Sequence, residues 1–202
     1  MALMIPESIT LTASEEEQAI FDLLHRSLPP ECTVWYKSAL ELEQTQRGPV
    51  LVLGDEIGIV AVTPLGWHLL GSPGLPARYE QQPRAGQLSA VEQSELQTAE
   101  RRVNELRQLL LDSQLSELVD SAGNFRPSLH KVYVLSQYRG EDVNRLHLRN
   151  VVSGALVLAR DEVSQLYNIL RQHTPPSGRL TGESFNAVRL VVPPGIEEQF
   201  CR

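Results

Sequence analysis

Cysteine is nearly missing from this chain. Cys32 and Cys201 are the only two in 202 residues, they stand far apart, and they form no metal-ligand spacing. A disulfide framework is thereby excluded, and a reduced cytoplasmic setting is the expectation. Basic residues are also outnumbered. Lys and Arg total 18 against 25 Asp and Glu, for a net charge of −7. A protein that grips nucleic acid through phosphates usually shows a basic excess, so the balance argues against a stand-alone DNA binder while leaving room for a local basic patch. No apolar run approaches the ~18 residues of a membrane span. The start, MALMIPESIT, lacks the charged and apolar regions of a signal peptide, so a soluble intracellular protein with no membrane partner is expected. Three chemical signatures are missing as well. There is no Gly-x-x-x-x-Gly-Lys-Ser/Thr phosphate loop, no Gly-x-Ser-x-Gly nucleophile elbow and no His-x-x-x-His pair among histidines 25, 68, 130, 147 and 173.

What is present is a domain-sized chain with 42% hydrophobic and 21% charged residues, enough for a real core. Its organising stretch is Pro49 to Trp67, PVLVLGDEIGIVAVTPLGW. Val50–Leu53 and Ile57–Thr63 are short apolar runs around the turn-like Gly54-Asp55-Glu56, and Pro64 and Gly66 stop the second. Such a pattern predicts a β-hairpin buried on both faces.

Upstream, Thr12–Glu15, or alternatively Ser14–Glu17, has the form of a capping box opening an amphipathic helix over 13–28, with Ile20, Leu23, Leu24 and Leu28 on one face. Glu17 in its first turn suits the helix dipole. Thr33–Lys37 reads as a strand, and 38–48 as a loop or irregular edge. Downstream, 71–88 holds three Gly and three Pro and reads as a long loop, where Arg78, Tyr79 and Arg84 are candidates to meet a phosphate and a base. Ser89 and Glu92 form a second capping box. Leu96, Ala99, Val103, Leu106 and Leu110 then step along a helix from Ser89 to Val119, or a helix pair broken near Asp112-Ser113. Arg101, Arg102 and Arg107 alternate with Glu95, Glu100 and Glu105, which reads as a charge-paired solvated face. A turn comes next over 120–128, then a strand at 131–135, a short helix or turn at 141–148, and a strand over 151–159 interrupted by Gly154. Asp161 is a candidate cap for a helix over 162–173, and Thr181–Ser184 opens a last short helix through Leu190.

The hairpin resembles the metal-binding hairpin of PD-(D/E)XK nucleases, in the form found in nuclease-related (NERD) domains. In that frame Pro49 matches the Pro, Gly58 the turn Gly and Trp67 the Trp after the second strand. Val50 stands in place of the Asp, and Thr63-Pro64-Leu65 in place of Glu-x-Lys. Glu17 matches a Glu of the family's first helix. The C-terminal half, down to Thr181–Phe185, resembles the region C-terminal to the nuclease-like core in proteins where this domain precedes a UvrD-like superfamily I helicase. The resemblance covers roughly residues 13–194. It implies an α/β fold with a mixed central sheet flanked by helices: a restriction-endonuclease-like core over 1–125, a C-terminal α/β extension packed on it over 126–195, and a tail or linker over 196–202.

It also implies what chemistry is lost. A hard cation needs carboxylate oxygens, and the bound metal activates water. Val50 and Leu65 offer no ligand and Thr63 only a neutral oxygen. The expectation is therefore a domain with no catalytic, cofactor-binding or metal residues of its own. It would act as a nucleic-acid-binding or scaffolding module in a DNA-processing system, with DNA and a superfamily I helicase domain, in cis or in trans, as candidate partners. Two alternatives stay open. One is a metal-dependent nuclease using displaced carboxylates such as Asp55, Glu56 and Glu17. The other is a pure protein-interaction module, and neither sequence nor resemblance speaks to oligomeric state. His68, beside Trp67, is the histidine nearest the vacated positions.

Overall fold

A computed structural model describes residues 1–5, 15–35, 49–66 and 88–192. Trp67, His68, Arg78, Tyr79, Arg84, Cys201 and the tail lie outside the described residues, as do Thr12 and Ser14. Six strands form one sheet in simple chain order: β1 (Leu3–Ile5), β2 (Thr33–Trp35), β3 (Val50–Gly54), β4 (Gly58–Leu65), β5 (Leu129–Leu135) and β6 (Leu156–Ala159). β1 is parallel to β2, and β4, β5 and β6 are mutually parallel. β3 is antiparallel to both neighbours, so it alone runs against the other strands. A mixed sheet flanked by helices is the predicted fold class. β5 and β6 come from beyond residue 126 and continue the same sheet.

Alternation along each strand divides the core into two layers. On one face Val34, Val50, Val52, Val60, Val62, Val132, Val134 and Leu158 meet α1 (Glu15–Ser27), through Ile20, Phe21, Leu24 and the adjoining Leu28. The same face meets α4 (Leu166–His173), through Leu166 and Leu170. On the other face Trp35, Leu51, Leu53, Ile59 and Ala61 meet α2 (Ala90–Asp112), through Val103, Leu106 and Leu110. They also meet α5 (Gly182–Val191), through Ala187 and Val188. Further along this face Leu65, Tyr133, Leu135, Val157 and Ala159 pack on Leu96 and Ala99 of α2 and on Val143 of α3 (Gly140–Arg145).

The capping box expected at Ser89 and Glu92 forms, and Thr181, expected to open the last helix, makes a second one. Ser89 accepts from the Glu92 N–H at 3.2 Å while the Glu92 carboxylate accepts from the Ser89 N–H at 2.7 Å. Thr181 and Ser184 make the same exchange at α5. α2 stops at Asp112, at the break offered as an alternative, but no second helix follows, because the chain turns through Gln114 at φ +52°. Other boundaries move. The strand expected over 151–159 is only Leu156–Ala159, because Gly154 takes φ +71° in a turn. Asp161 does not cap its own helix. Its carboxylate accepts from the Gly140 N–H at 3.0 Å, while Glu162 accepts from the Ala159 N–H at 2.9 Å.

The hairpin turn at 55–57 is clasped by the C-terminal segment. The Leu180 N–H donates to the Asp55 carbonyl at 3.1 Å. Glu56 accepts from the Tyr167 hydroxyl at 2.8 Å and pairs with Arg171 at 2.9 Å. Gly58, at φ +74°, lies so close to the Ser128 and Gly178 carbonyls that a Cβ would sit 2.6 Å and 3.0 Å from them. Substituting Gly58→Ala is therefore expected to cost about 2–3 kcal/mol by urea unfolding, from strain plus a clash that backbone cannot relieve. Gly123→Ala is the control, because Gly123 also has a positive φ but open space around it, and about 1 kcal/mol is expected there. Equal losses would show that the clasp is loose.

Thr174 ties the same corner together. Its hydroxyl donates to the Leu170 carbonyl at 2.9 Å, so the His130 Nε2–H, also at 2.9 Å, donates to Thr174 Oγ1. Burial, reinforced by the charge of His173, lowers the His130 pKa below 6.5. The folded state then takes up this proton less readily than the unfolded chain. Its contribution to stability is complete above 6.5 and is lost as pH falls from there towards the folded pKa. The urea midpoint is expected to drop between about pH 7.5 and about pH 5, and His130→Asn should flatten that drop. An unchanged pH dependence in the variant would place the titrating group elsewhere.

Candidate functional site

The positions that would carry nuclease chemistry are not brought together. Val50 is paired with Val62 and packs on the α1 face. Thr63 is paired with Tyr133, which like Leu65 packs on the α2 face. Pleating therefore puts Val50 on one side of the sheet and Thr63 and Leu65 on the other. Val50 and Leu65 are each only 2% exposed, so both are core residues.

The displaced carboxylates are separated as well. Asp55 and Glu56 sit on the hairpin turn, at the amino edge of the parallel strands. α1 must return the chain from the carboxyl edge to the amino edge between two parallel strands. Glu17, in its first turn, therefore lies towards the opposite edge, where it is buried on the same helix face as Ile20 and Leu24. Among the described residues no three His, Cys, Asp or Glu side chains gather as metal ligands. Cys32 is fully buried, and burial, aided by the negative charges of Glu31 and Asp55, pushes its thiol up to about 12, which makes it a packing residue.

The expected charge-paired face of α2 is present in part. Arg101 pairs with Glu105 at 3.6 Å, and Arg107 is exposed. Further ion pairs among the described residues join Arg145 to Asp142 and Arg149 to Glu162, and across the fold Arg171 to Glu56. These arginines present no continuous stripe to a phosphate backbone.

Two features are not anticipated by the sequence reading. First, Trp35 Nε1, Thr63 Oγ1, Tyr133 Oη and Ser136 Oγ are buried without a hydrogen-bond partner among the described residues. All lie at the carboxyl ends of β2, β4 and β5 or just beyond, the edge at which open α/β sheets receive ligands. Burial, with the charge of Glu100, pushes the Tyr133 hydroxyl up to about 12, so it stays protonated. Second, a cleft of about 600 Å³ opens between the first half of α2 and the turn after α3, where Gln93, Gln97 and Glu100 face Val151 and Ser153. The Gln93–Gln97–Glu100 spacing is readable as one helix face. Its apposition to residues 151–153 depends on the fold.

No protein-family profile, curated protein or solved structure significantly matches the chain. The geometry of the molecule is therefore what bears on its function.

If the buried hydroxyls at the carboxyl edge are truly unsatisfied, removing them should help. Thr63→Val and Tyr133→Phe are each expected to raise stability by about 1 kcal/mol, because an unpaired buried polar group is costly. A loss of stability in either variant would show that the hydroxyl already has a partner, such as an internal water.

Proposed function

We propose that this chain is a non-catalytic scaffolding domain built on a restriction-endonuclease-like sheet, which holds other components of a DNA-processing assembly together. One observation carries the reading. The positions standing for the family's Asp, Glu and Lys are Val50, Thr63 and Leu65, and they are divided between two separate cores. A metal site needs its ligands to converge on one point. Here the sheet itself lies between them.

The electrostatics favour proteins over nucleic acid as the bound component. The net charge is −7, and the cations of four ion pairs are already matched to carboxylates. The resemblance in element order supports a place beside a superfamily I helicase. The ATP-driven motor would be supplied from outside these 202 residues, since they contain no phosphate loop.

The test is fluorescence anisotropy and gel cleavage with single-stranded and forked DNA, from low to physiological salt, with and without Mg²⁺. No saturable binding and no cleavage are expected. Mg²⁺-dependent cleavage would overturn the reading. Binding that ignores Mg²⁺ and weakens steeply with salt would replace the scaffold with a nucleic-acid-binding domain.

A further inference from the structure

The outer side of α2 holds two adjoining clefts. The first, of about 600 Å³, faces Val151 and Ser153. A second, a shallow depression of about 530 Å³ lined among the described residues by α2 alone, continues along the helix to Gln108, and the two share Gln97 and Glu100. We propose that this groove binds an extended lysine- or arginine-bearing peptide segment of a protein partner, with the basic side chain seated on Glu100. The inference rests on the scaffolding reading and names the chemistry of the component that is scaffolded.

Charge decides the sign of the partner. Glu100 is half-buried and has no hydrogen-bond or ion-pair partner among the described residues. Glu105 is paired with Arg101, while Lys131, whose ammonium donates to the neutral Asn104 Oδ1 at 3.3 Å, keeps its charge but lines neither cleft. Among the described lining residues the charged side chains are Glu100, Arg101 and Glu105, which leaves one net negative charge, and Glu100 sits where the two clefts meet. A partly desolvated carboxylate attracts a cation more strongly than a fully exposed one. Phosphate-bearing ligands are repelled by the same group.

Shape decides between a peptide and a single small cation. From Gln93 to Gln108 the helix rises about 22 Å, the length of about six extended residues. The side-chain amides of Gln93 and Gln97 each offer a donor and an acceptor, matching the N–H and C=O of a peptide backbone. Leu96 and Val151 give the methylenes of a lysine an apolar wall.

The experiment uses the isotope-labelled full chain, titrated with N-acetylated octalysine and, separately, octaglutamate. Amide shifts confined to α2 and residues 151–153, with octalysine alone, are the expected result. Glu100→Gln should weaken octalysine binding about fivefold. Glu31→Gln removes the same charge from the exposed turn between α1 and β2, outside the groove, and should change nothing. Shifts scattered over the surface, equal weakening by both variants, or no octalysine binding would each overturn the proposal. Its failure leaves the scaffolding reading standing, because that reading is decided by the DNA experiment.

Discussion

Burial of β3 and β4 on both faces is the constraint on which this structure depends. Leu51, Val52, Leu53, Ile59, Val60, Ala61 and Val62 are all fully excluded from solvent, and they alternate between two helical layers. Each of these Val, Leu and Ile side chains contributes about 1.5–3 kcal/mol relative to exposure, so the hairpin supplies much of both cores. A carboxylate in the middle of either strand would have to be desolvated or would force the layers apart. The stretch that the resemblance lays on a metal-binding hairpin is the centre of the hydrophobic core.

The two edges of the sheet are consequently unlike. At the amino edge the hairpin turn is held by a backbone bond from Leu180, by the Tyr167–Glu56–Arg171 cluster and by Thr174, all from the last third of the chain. This edge has its polar groups satisfied and little room, as Gly58 shows. At the carboxyl edge polar atoms of β2, β4 and β5 lack partners among the described residues, and a cleft opens beside α2. The carboxyl edge is also the one at which open α/β sheets receive ligands.

Much of this was legible in the residues. The continuous apolar runs VLVLG and IVAV around a polar turn, the Leu96–Leu110 steps and the Ser89–Glu92 capping box are local patterns, and local physics enforces them. The misses are of another kind. β1 is only Leu3–Ile5, too short to show a period, and it exists because β2 offers it an edge. Val151 and Val152 have strand-forming side chains, yet the turn at Gly154 removes them from the sheet, and Val152 is buried against α2 and α3 instead. Asp161 has the look of a helix cap, but its partner is Gly140, which lies in a different element. Which face carries Val50 and which carries Thr63 depends on the Val50–Val62 register, and that is fixed by the turn length and by Gly58. Glu17 matches the dipole expectation by position. Its burial on the helix's apolar side comes from the packing of α1 and is not readable from the capping pattern.

Arginine placement makes the final link between stability and function. Arg149 donates to the Val157 carbonyl at 2.6 Å and binds Glu162, whose other oxygen accepts from the Ala159 N–H. Together this pair occupies backbone groups on the β6 side of the sheet, which would otherwise be open to another strand. Arg171 is likewise consumed by the hairpin turn, and Arg145 by the first turn of α3. A guanidinium that closes an edge or braces a turn has part of its charge and of its planar donor set offset by a carboxylate, which weakens its attraction for a phosphate. With those cations committed internally, the charge left over is negative, and at Glu100 it lies in a groove. The interactions that close the edge of the sheet and hold its hairpin thus leave the net negative charge of the chain unchanged, because each pairs one cation with one anion.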